Sequence, residues 1–402
     1  MTGRGDTSIH GTTVEVHRGM AAVSELRDEW ETLAHQTGAP VFSRPGWLVV
    51  WQRYLVPDAQ PELLVARDTG GALVGVLALA RTSRRLQARV PVKVPYLSIA
   101  GAGTGSADHN GPVAVDDDVA RALFRAAVDR TNGATLYLEN LSPRWAQLAQ
   151  DTVGGTVTRL TECPAVVRAP DGQFSDAWSK KMGKNVRRRH RQMEEEGITS
   201  RWVPAGPDFP AALDQLRRVH EGRWNAQGGE GRMSDTRMQF LRDLADECRA
   251  PDVPWILLLE HGDRVVAGML GIVAGDTFSV YKTGWDPDYA RFSLGITMGT
   301  VAMEWAETQG LTTFDYLRGP RGHKKDLGCE AVADVSVVRS SGITGVLLEQ
   351  RERFASDGVR PGWWEKVGPV VAKAKATATR TGAGAAADND TPEPAVADSP
   401  SN

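Results

Sequence analysis

The chain has 402 residues, is 41% apolar and 24% charged, and carries a formal net charge of −3. That composition is globular and excludes a protein that coats nucleic acid over its whole surface, while leaving room for local charged patches. Cys163, Cys248 and Cys329 are odd in number and far apart, which speaks against a disulfide framework or a zinc motif and for a reducing, cytoplasmic setting.

The length exceeds one ordinary core, so two domains of roughly 150–190 residues are expected. The polar N-terminus has no apolar signal region, and no run is long enough to span a bilayer. Residues 1–13 read as disordered, followed by a first strand at 14–17. Residues 21–36 carry Val23, Leu26, Trp30 and Leu33 at helical spacing. Pro45 suits the first turn of a second helix reaching Tyr54, with Trp47, Val50, Trp51 and Tyr54 on one face as core. Strands are expected at 62–67, 73–81 and 95–100, then a glycine-rich loop over 101–111. A helix at 119–131 ends at Asn132-Gly133, and a strand at 135–139 follows.

The middle of the chain is basic. From Ser179 to Arg191 it reads SKKMGKNVRRRHR, with Glu194-Glu195-Glu196 behind it. Such a cluster suits a phosphate-bearing ligand, whether nucleotide, coenzyme or RNA, and equally a solvated connecting helix. Two helices, at 213–224 and 235–249, flank a polar loop over 225–233 that is either a lid or a mobile connector.

The stretch from 265 to 325 organises the second half. Apolar segments 265–274 and 277–283 are separated by Gly275-Asp276, a hairpin signal. A polar loop with Asp286-Pro287 leads to a helix over 296–309, closed by Gly310, and a strand over 311–317. A last strand is expected at 331–338, a short helix at 347–354, and a disordered Ala/Thr/Gly/Asp/Pro tail at 377–402. This order of elements repeats. Residues 133–143 (GATLYLENLSP) align without gaps on 310–320 (GLTTFDYLRGP), and 62–79 on 255–272 with small shifts. A tandem duplication of a mixed α/β domain accounts for both matches.

Four places offer chemistry. At residues 291–299, a helix start supplies backbone N–H groups and the positive dipole end, Gly295 removes a Cβ, Ser293 can donate or cap, and Arg291 adds a full charge; together they suit a pyrophosphate. In the stretch 314–319, Asp315 is a carboxylate in an otherwise apolar strand, which needs a partner or a use. The first copy has Leu138 there, so the fold does not require the charge; Arg318 and Lys324 are its candidate partners. Asp108-His109, ending the glycine-rich loop, can act as base and substrate contact or simply make a turn. Tyr281 can donate a proton to a leaving thiolate or pack as a strand aromatic. No nucleophile elbow, Walker loop, HExxH or paired CxxC is present.

These motifs resemble a known family. Trp30, Phe42-Ser43 and Trp47 are followed by Ser179-Lys180, Lys184, Arg187-Arg188, Glu195 and Gly197. Then come Gly284-Trp285-Asp286, Tyr289-Ala290-Arg291, Ser293, Gly295, Phe314-Asp315, Leu317-Arg318-Gly319 and Lys324. The set is similar to the CelD/BcsL-type acyltransferases of the GNAT superfamily, related to the FemABX peptidyltransferases; it departs from that pattern at Leu294, Arg321 and His323.

The resemblance implies two tandem GNAT-like domains of mixed α/β sheet, at 14–172 and 201–345, joined by the basic segment 173–200. It implies transfer from acetyl-CoA or another acyl-CoA, without a metal, to an amine or hydroxyl of a small molecule or saccharide. Arg291, Ser293, Gly295 and Thr297 would hold the coenzyme. Asp315, Asp108 and Tyr281 would carry the chemistry, and His109, Arg318 and Lys324 would meet the acceptor. Two alternatives stay open: aminoacyl transfer from charged tRNA, with the 180–191 segment on the RNA, and a non-catalytic binding protein on the same fold.

Overall fold

The structure is a computed structural model and describes residues 7–9, 11–87, 90–103, 107–226, 233–343, 345–347 and 349–350. The first half comprises strands β1 (Thr7–Ile9) and β2 (Thr12–Arg18), helices α1 (Gly19–Glu25), α2 (Arg27–Gln36) and α3 (Pro45–Tyr54), and strands β3 (Gln60–Arg67), β4 (Leu73–Gln87), β5 (Val90–Ile99) and β6 (Val113–Ala114). It continues through α4 (Asp117–Asp129), β7 (Thr135–Leu141), α5 (Pro143–Val153) and β8 (Thr156–Val167). The second half has α6 (Lys180–Glu195), β9 (Ile198–Pro204), α7 (Phe209–Ala226), α8 (Asp235–Glu247), β10 (Pro254–His261), β11 (Arg264–Ala274), β12 (Thr277–Trp285), α9 (Leu294–Thr308), β13 (Thr313–Asp315) and β14 (Glu330–Arg339).

Several expectations change. The segment read as disordered holds β1, which pairs antiparallel with β2. The helix expected over 21–36 is two helices that meet at Leu26. The strand expected over 311–317 pairs only at Thr313–Asp315, because the chain bends at Leu317. The lid reading of 225–233 falls mainly, and the tail at 377–402 wholly, outside the described residues.

All fourteen strands join one sheet, in the order β1-β2-β3-β4-β5-β7-β14-β8-β13-β12-β11-β10-β9, with β6 on β4. Neighbours are antiparallel except β5–β7 and β12–β13. Those two parallel pairs are where a helix, α4 or α9, carries the chain across a face, as parallel pairing demands. The halves do not sit side by side as closed units. The last strand, β14, lies between β7 and β8 of the first half, and β8 continues onto β13 of the second.

Strand alternation sorts the cores. Leu63 and Val65 of β3, with Ile256 and Leu258 of β10, face one core shared by both halves, filled by α2, α3, α7 and α8 through Trp30, Trp47, Leu216 and Phe240. Leu64 and Ala66 face a first-half core under α4 and α5. Leu257 and Leu259 face a second-half core under α6 and α9. With both faces covered, these strands are apolar throughout rather than alternating.

The internal repeat is visible in the backbone. Gly133 and Gly310, aligned in sequence, both close a helix with positive φ (81° and 76°), and the aligned Asn140 and Leu317 are both left-handed (φ 49° and 53°). Asn tolerates that conformation; Leu adopts it against a steric cost.

The shared core also holds charge. Arg44, 5% exposed, bonds Asp252 (4% exposed) at 2.6 Å and lies 3.6 Å from Glu31, tying the first half to the second. Removing one member of a buried pair strands the others. Arg44→Met is expected to lower unfolding stability by roughly 3–5 kcal/mol, measured as a shifted urea midpoint at unchanged m-value.

Candidate functional site

Two strand pairs part in this sheet. In the second half, β12 and β13 pair only at Thr277/Thr313, Phe278/Phe314 and Ser279/Asp315. Beyond Ser279, β12 runs on to Trp285 alongside β11, with a register shift that pairs Val280 with Gly271 and Lys282 with Leu270, so Tyr281 is bulged. Beyond Asp315, β13 bends away. In the first half, β5 and β7 likewise pair at three positions, ending at Ser98/Tyr137. There the glycine-rich loop fills the gap: Asn110 bridges Leu141, donates its N–H to Asn140 O at 2.8 Å, and donates from Nδ2 to Glu139 O.

That loop is held by α3. Trp47 and Trp51 donate their indole N–H groups to Gly101 O and Ala102 O at 3.0 and 3.1 Å. At Gly101 (φ 92°) a Cβ would stand 2.9 Å from the Trp47 ring, so the glycine is required by both backbone and indole. Beyond residues 104–106, which lie outside the described residues, Asp108 and His109 meet the second half.

The loop residues meet carboxylates and a guanidinium more than 200 positions away. His109 Nε2 lies 2.8 Å from Asp315 Oδ2, and Nδ1 lies 2.8 Å from Asp334 Oδ1 of β14. The His109 backbone N–H also donates to Asp334 Oδ2. Arg318 donates from Nε to Asp108 Oδ1 at 2.8 Å, from its backbone N–H to Asp108 Oδ2 at 3.0 Å, and from Nη2 to Ala107 O at 2.8 Å. Asp315 Oδ1 accepts the Leu317 N–H at 2.8 Å, which holds the left-handed bend. Asp108, Asp315 and Asp334 are 1%, 4% and 0% exposed. The sequence offered Arg318 or Lys324 as partners for Asp315; the structure gives Arg318 to Asp108 and His109 to Asp315.

Charge follows geometry. Burial works against an ionised His109, but hydrogen bonds to Asp315 and Asp334 outweigh it and push its pKa up to about 11. The ring is an imidazolium with both N–H groups given away and no lone pair to act as base. Burial, reinforced by Asp108, Asp334 and Asp315, pushes the Cys163 thiol up. Cys163 therefore stays protonated 3.8 Å from Asp334 and is no nucleophile. His109, Cys163 and Asp334 are the trio among the described residues whose donor atoms, all within 4.8 Å, could hold a metal ion; here they are satisfied by one another.

The other predicted residues take different positions. Ser293 is left-handed (φ 48°) and starts α9, on the C-terminal side of the turn at Pro287–Phe292. Arg291 is exposed, bonded to Glu196 at 2.9 Å and stacked 4.8 Å over the Phe292 ring. A Cβ at Gly295 would stand 3.4 Å from the Trp285 ring. Thr297 does not face outward: it is 1% exposed and donates its hydroxyl to Phe292 O at 2.8 Å, which ties the turn to the helix. Tyr281 stands in the shared core, 6.0 Å from the Trp47 ring, its hydroxyl accepting from Arg237 at 3.3 Å. Lys324 sits on the Gly322–Leu327 turn, Nζ 5.0 Å from the Tyr316 ring centre.

Sequence reasoning missed Asp334, which a strand pattern makes look like any polar position, and Tyr316, taken up below. The basic segment forms α6, which caps itself by Ser179 Oγ accepting from Met182 N–H at 3.1 Å. It buries Met182, Val186 and Met193 against the second-half core and exposes Lys180, Lys181, Lys184, Arg187, Arg188 and Arg191.

Comparison with known proteins fits this geometry. Residues 180–325 match the model of the acetyltransferase (GNAT) domain. The C-terminal domain of a lysylphosphatidylglycerol synthetase from Agrobacterium fabrum matches the structure with TM-score 0.54 at 13% identity, over 84% of this chain and 99% of that one. FemX matches with TM-score 0.55 at 10% identity, over 80% and 96%. L-PGS from Bacillus licheniformis matches with TM-score 0.50 at 13% identity, over 80% and 96%. At these identities the likeness is one of fold. No curated protein matches the chain. The fold is a mixed α/β sheet, whose second half carries the acetyltransferase (GNAT) domain match. Among the described residues no helix is long and apolar enough to cross a membrane.

The charge state of His109 sets a pH signature. A pKa raised from 6.5 to about 11 contributes stability that is full below pH 6.5 and is lost as pH rises toward 11. His109→Asn, chosen because Asn tolerates the left-handed backbone, is expected to destabilise the protein most at or below pH 6.5. The gap from wild type should narrow by pH 10, as read from denaturant midpoints across pH.

Proposed function

We propose that the chain is an acyltransferase that binds an acyl-CoA at the parted β12–β13 pair and transfers its acyl group to an amine or hydroxyl. The observation that carries the reading is the gap itself: the second half leaves β12 and β13 apart just where the first half plugs the matching gap with Asn110. Parted strands leave backbone N–H groups available to polarise a thioester carbonyl. The Pro287–Phe292 turn and the start of α9 lie at the end of β12, where Arg291 and the helix dipole suit the coenzyme phosphates. The match of 180–325 to the acetyltransferase domain supports the same assignment.

On this reading the acceptor approaches from the side of His109. Its nitrogen or oxygen attacks the acyl carbon, the C–S pair departs on sulfur, and the acceptor's proton leaves through Asp315 or a water beside it. Asp108 positions Arg318, and Arg318 with Lys324 contacts the acceptor. Thr297 serves as a brace for the phosphate turn. Tyr281, bonded to Arg237 in the core, shapes the bulge beside the thioester.

Incubation with acetyl-CoA and a panel of small amines and amino sugars is expected to release free thiol, with acylated product confirmed by mass. Asp315→Asn keeps an oxygen for the Leu317 amide and is expected to lower kcat by roughly a hundredfold or more while leaving acetyl-CoA binding within about threefold. No binding of any acyl-CoA by calorimetry would sink the reading.

A second reading, aminoacyl transfer from charged tRNA, is favoured by one observation. The six exposed cations of α6 form a strip about 16 Å long on a helix that packs against α9 and the phosphate turn. Arg187→Glu with Arg188→Glu is expected to weaken tRNA binding at least tenfold and flatten its salt dependence if this reading holds. Unchanged tRNA retention leaves acyl-CoA as the donor.

A further inference from the structure

Two local costs coincide on the α9 side of β13, and neither is needed to hold the fold. Tyr316 follows Asp315 at the point where β13 has left β12, and it points to the face opposite Asp315. Its ring packs edge-on to Phe314 at 5.1 Å between centres. The ring is half-buried, but the hydroxyl oxygen at its tip is buried, and it has no hydrogen-bond partner among the described residues. Buried polar atoms are almost always paired, so one left alone asks for an explanation. Burial also pushes the phenol pKa up; the group keeps its proton and has a hydrogen bond to give.

The second cost is Gly299, in the interior of α9, where Ala would favour the helix. A Cβ there would stand 2.5 Å from the Tyr316 oxygen, so the glycine makes room for that hydroxyl. Packing alone does not account for the pair. Phenylalanine at 316 would fill the same space, leave no orphan oxygen, and allow Ala at 299, since the ring carbon that bears the hydroxyl is 3.5 Å from the same Cβ position. One turn earlier, Gly295 faces the Trp285 ring. Between the phosphate turn and the Tyr316 hydroxyl, α9 therefore has glycine at both 295, against the Trp285 ring, and 299, against that hydroxyl, about 6 Å apart along the axis.

We infer that the Tyr316 hydroxyl is the inner polar anchor of the donor slot, donating a hydrogen bond to an oxygen or sulfur of the acyl donor's arm as it lies along Gly295 and Gly299. This rests on the assignment of the parted β12–β13 pair as the donor site. The anchor binds and positions the arm; no proton is transferred through it. The orphan oxygen is then a cost of the free protein that donor binding relieves, and the helix glycine is the cost of making room for that hydroxyl.

The test compares wild type, Tyr316→Phe, Gly299→Ala and the double variant by thermal unfolding and by calorimetric titration with acetyl-CoA. Tyr316→Phe is expected to melt at or above the wild-type temperature while its acetyl-CoA Kd rises about tenfold. Gly299→Ala alone drives a methyl group onto the hydroxyl and is expected to melt lower and lose binding. In the double variant the clash is gone, so melting recovers to wild type or higher, yet binding stays lost because the methyl group occupies the slot. Wild-type affinity in Tyr316→Phe, or retained binding in the double variant, overturns the anchor. A wild-type protein that binds no acyl-CoA overturns the donor assignment itself and the anchor with it, a result distinct from either.

Discussion

One imidazolium joins the two halves of this molecule at the place where chemistry is proposed. His109 comes from a first-half loop, Asp315 from the second-half strand β13, and Asp334 from β14, which lies within the first half. Burial pushes the Asp334 carboxyl up, while its hydrogen bonds to His109 pull the other way. A ring held between Asp315 and Asp334 with a proton on each nitrogen can donate to both carboxylates at once. The geometry of the seam depends on that ring staying charged, and its left-handed backbone (φ 54°) is the conformational strain the arrangement carries.

The asymmetry between the repeats follows from the same contact. Each half parts its parallel strand pair after three rungs. In the first half, the loop that returns to fill the gap is the one that sends Asp108 and His109 across the seam. Plugging one gap and furnishing the wall of the other are one structural event, anchored by Trp47 and Trp51 on Gly101 and Ala102. A duplicated unit has thereby become a support on one side and a candidate active unit on the other.

How much of this the sequence disclosed depends on the range of the interaction. The hairpin at Gly275, the helix closed by Gly310 and the repeat of 133–143 on 310–320 are local patterns, and they appear where turn chemistry and periodicity place them. The candidates Asp108, His109, Asp315 and Arg318 were legible as residue types out of place. Their pairing was not, because 206 and 210 positions separate the partners and each could be satisfied locally. The strand expected over 311–317 was overdrawn for a related reason: Leu317 is apolar and reads as strand, while a carboxylate two residues earlier bends its backbone away. The exchange of β14 into the first half has no sequence signal at all, since one β-branched run looks like another.

On the proposed reading, donor and acceptor approach from opposite faces of the sheet. Backbone alternation at the end of β13 sends Asp315 toward His109 and Tyr316, the residue after the strand, toward α9, so two consecutive residues face opposite sides of the same gap. The face toward His109 is charged, with Asp108, Asp315 and Asp334 each bonded to a cation or a backbone amide. The face toward α9 is apolar, with Gly295 against the Trp285 ring and Gly299 against the Tyr316 hydroxyl, which has no hydrogen-bond partner among the described residues. A thioester arm, long and sparsely polar, suits the second face; a polar acceptor suits the first. Only where β12 and β13 part can the two meet, and that opening lasts no further than the bulge at Tyr281 allows. The short pairing of β13, which costs the sheet hydrogen bonds it could otherwise make, is thus the feature that lets one reaction draw on both sides.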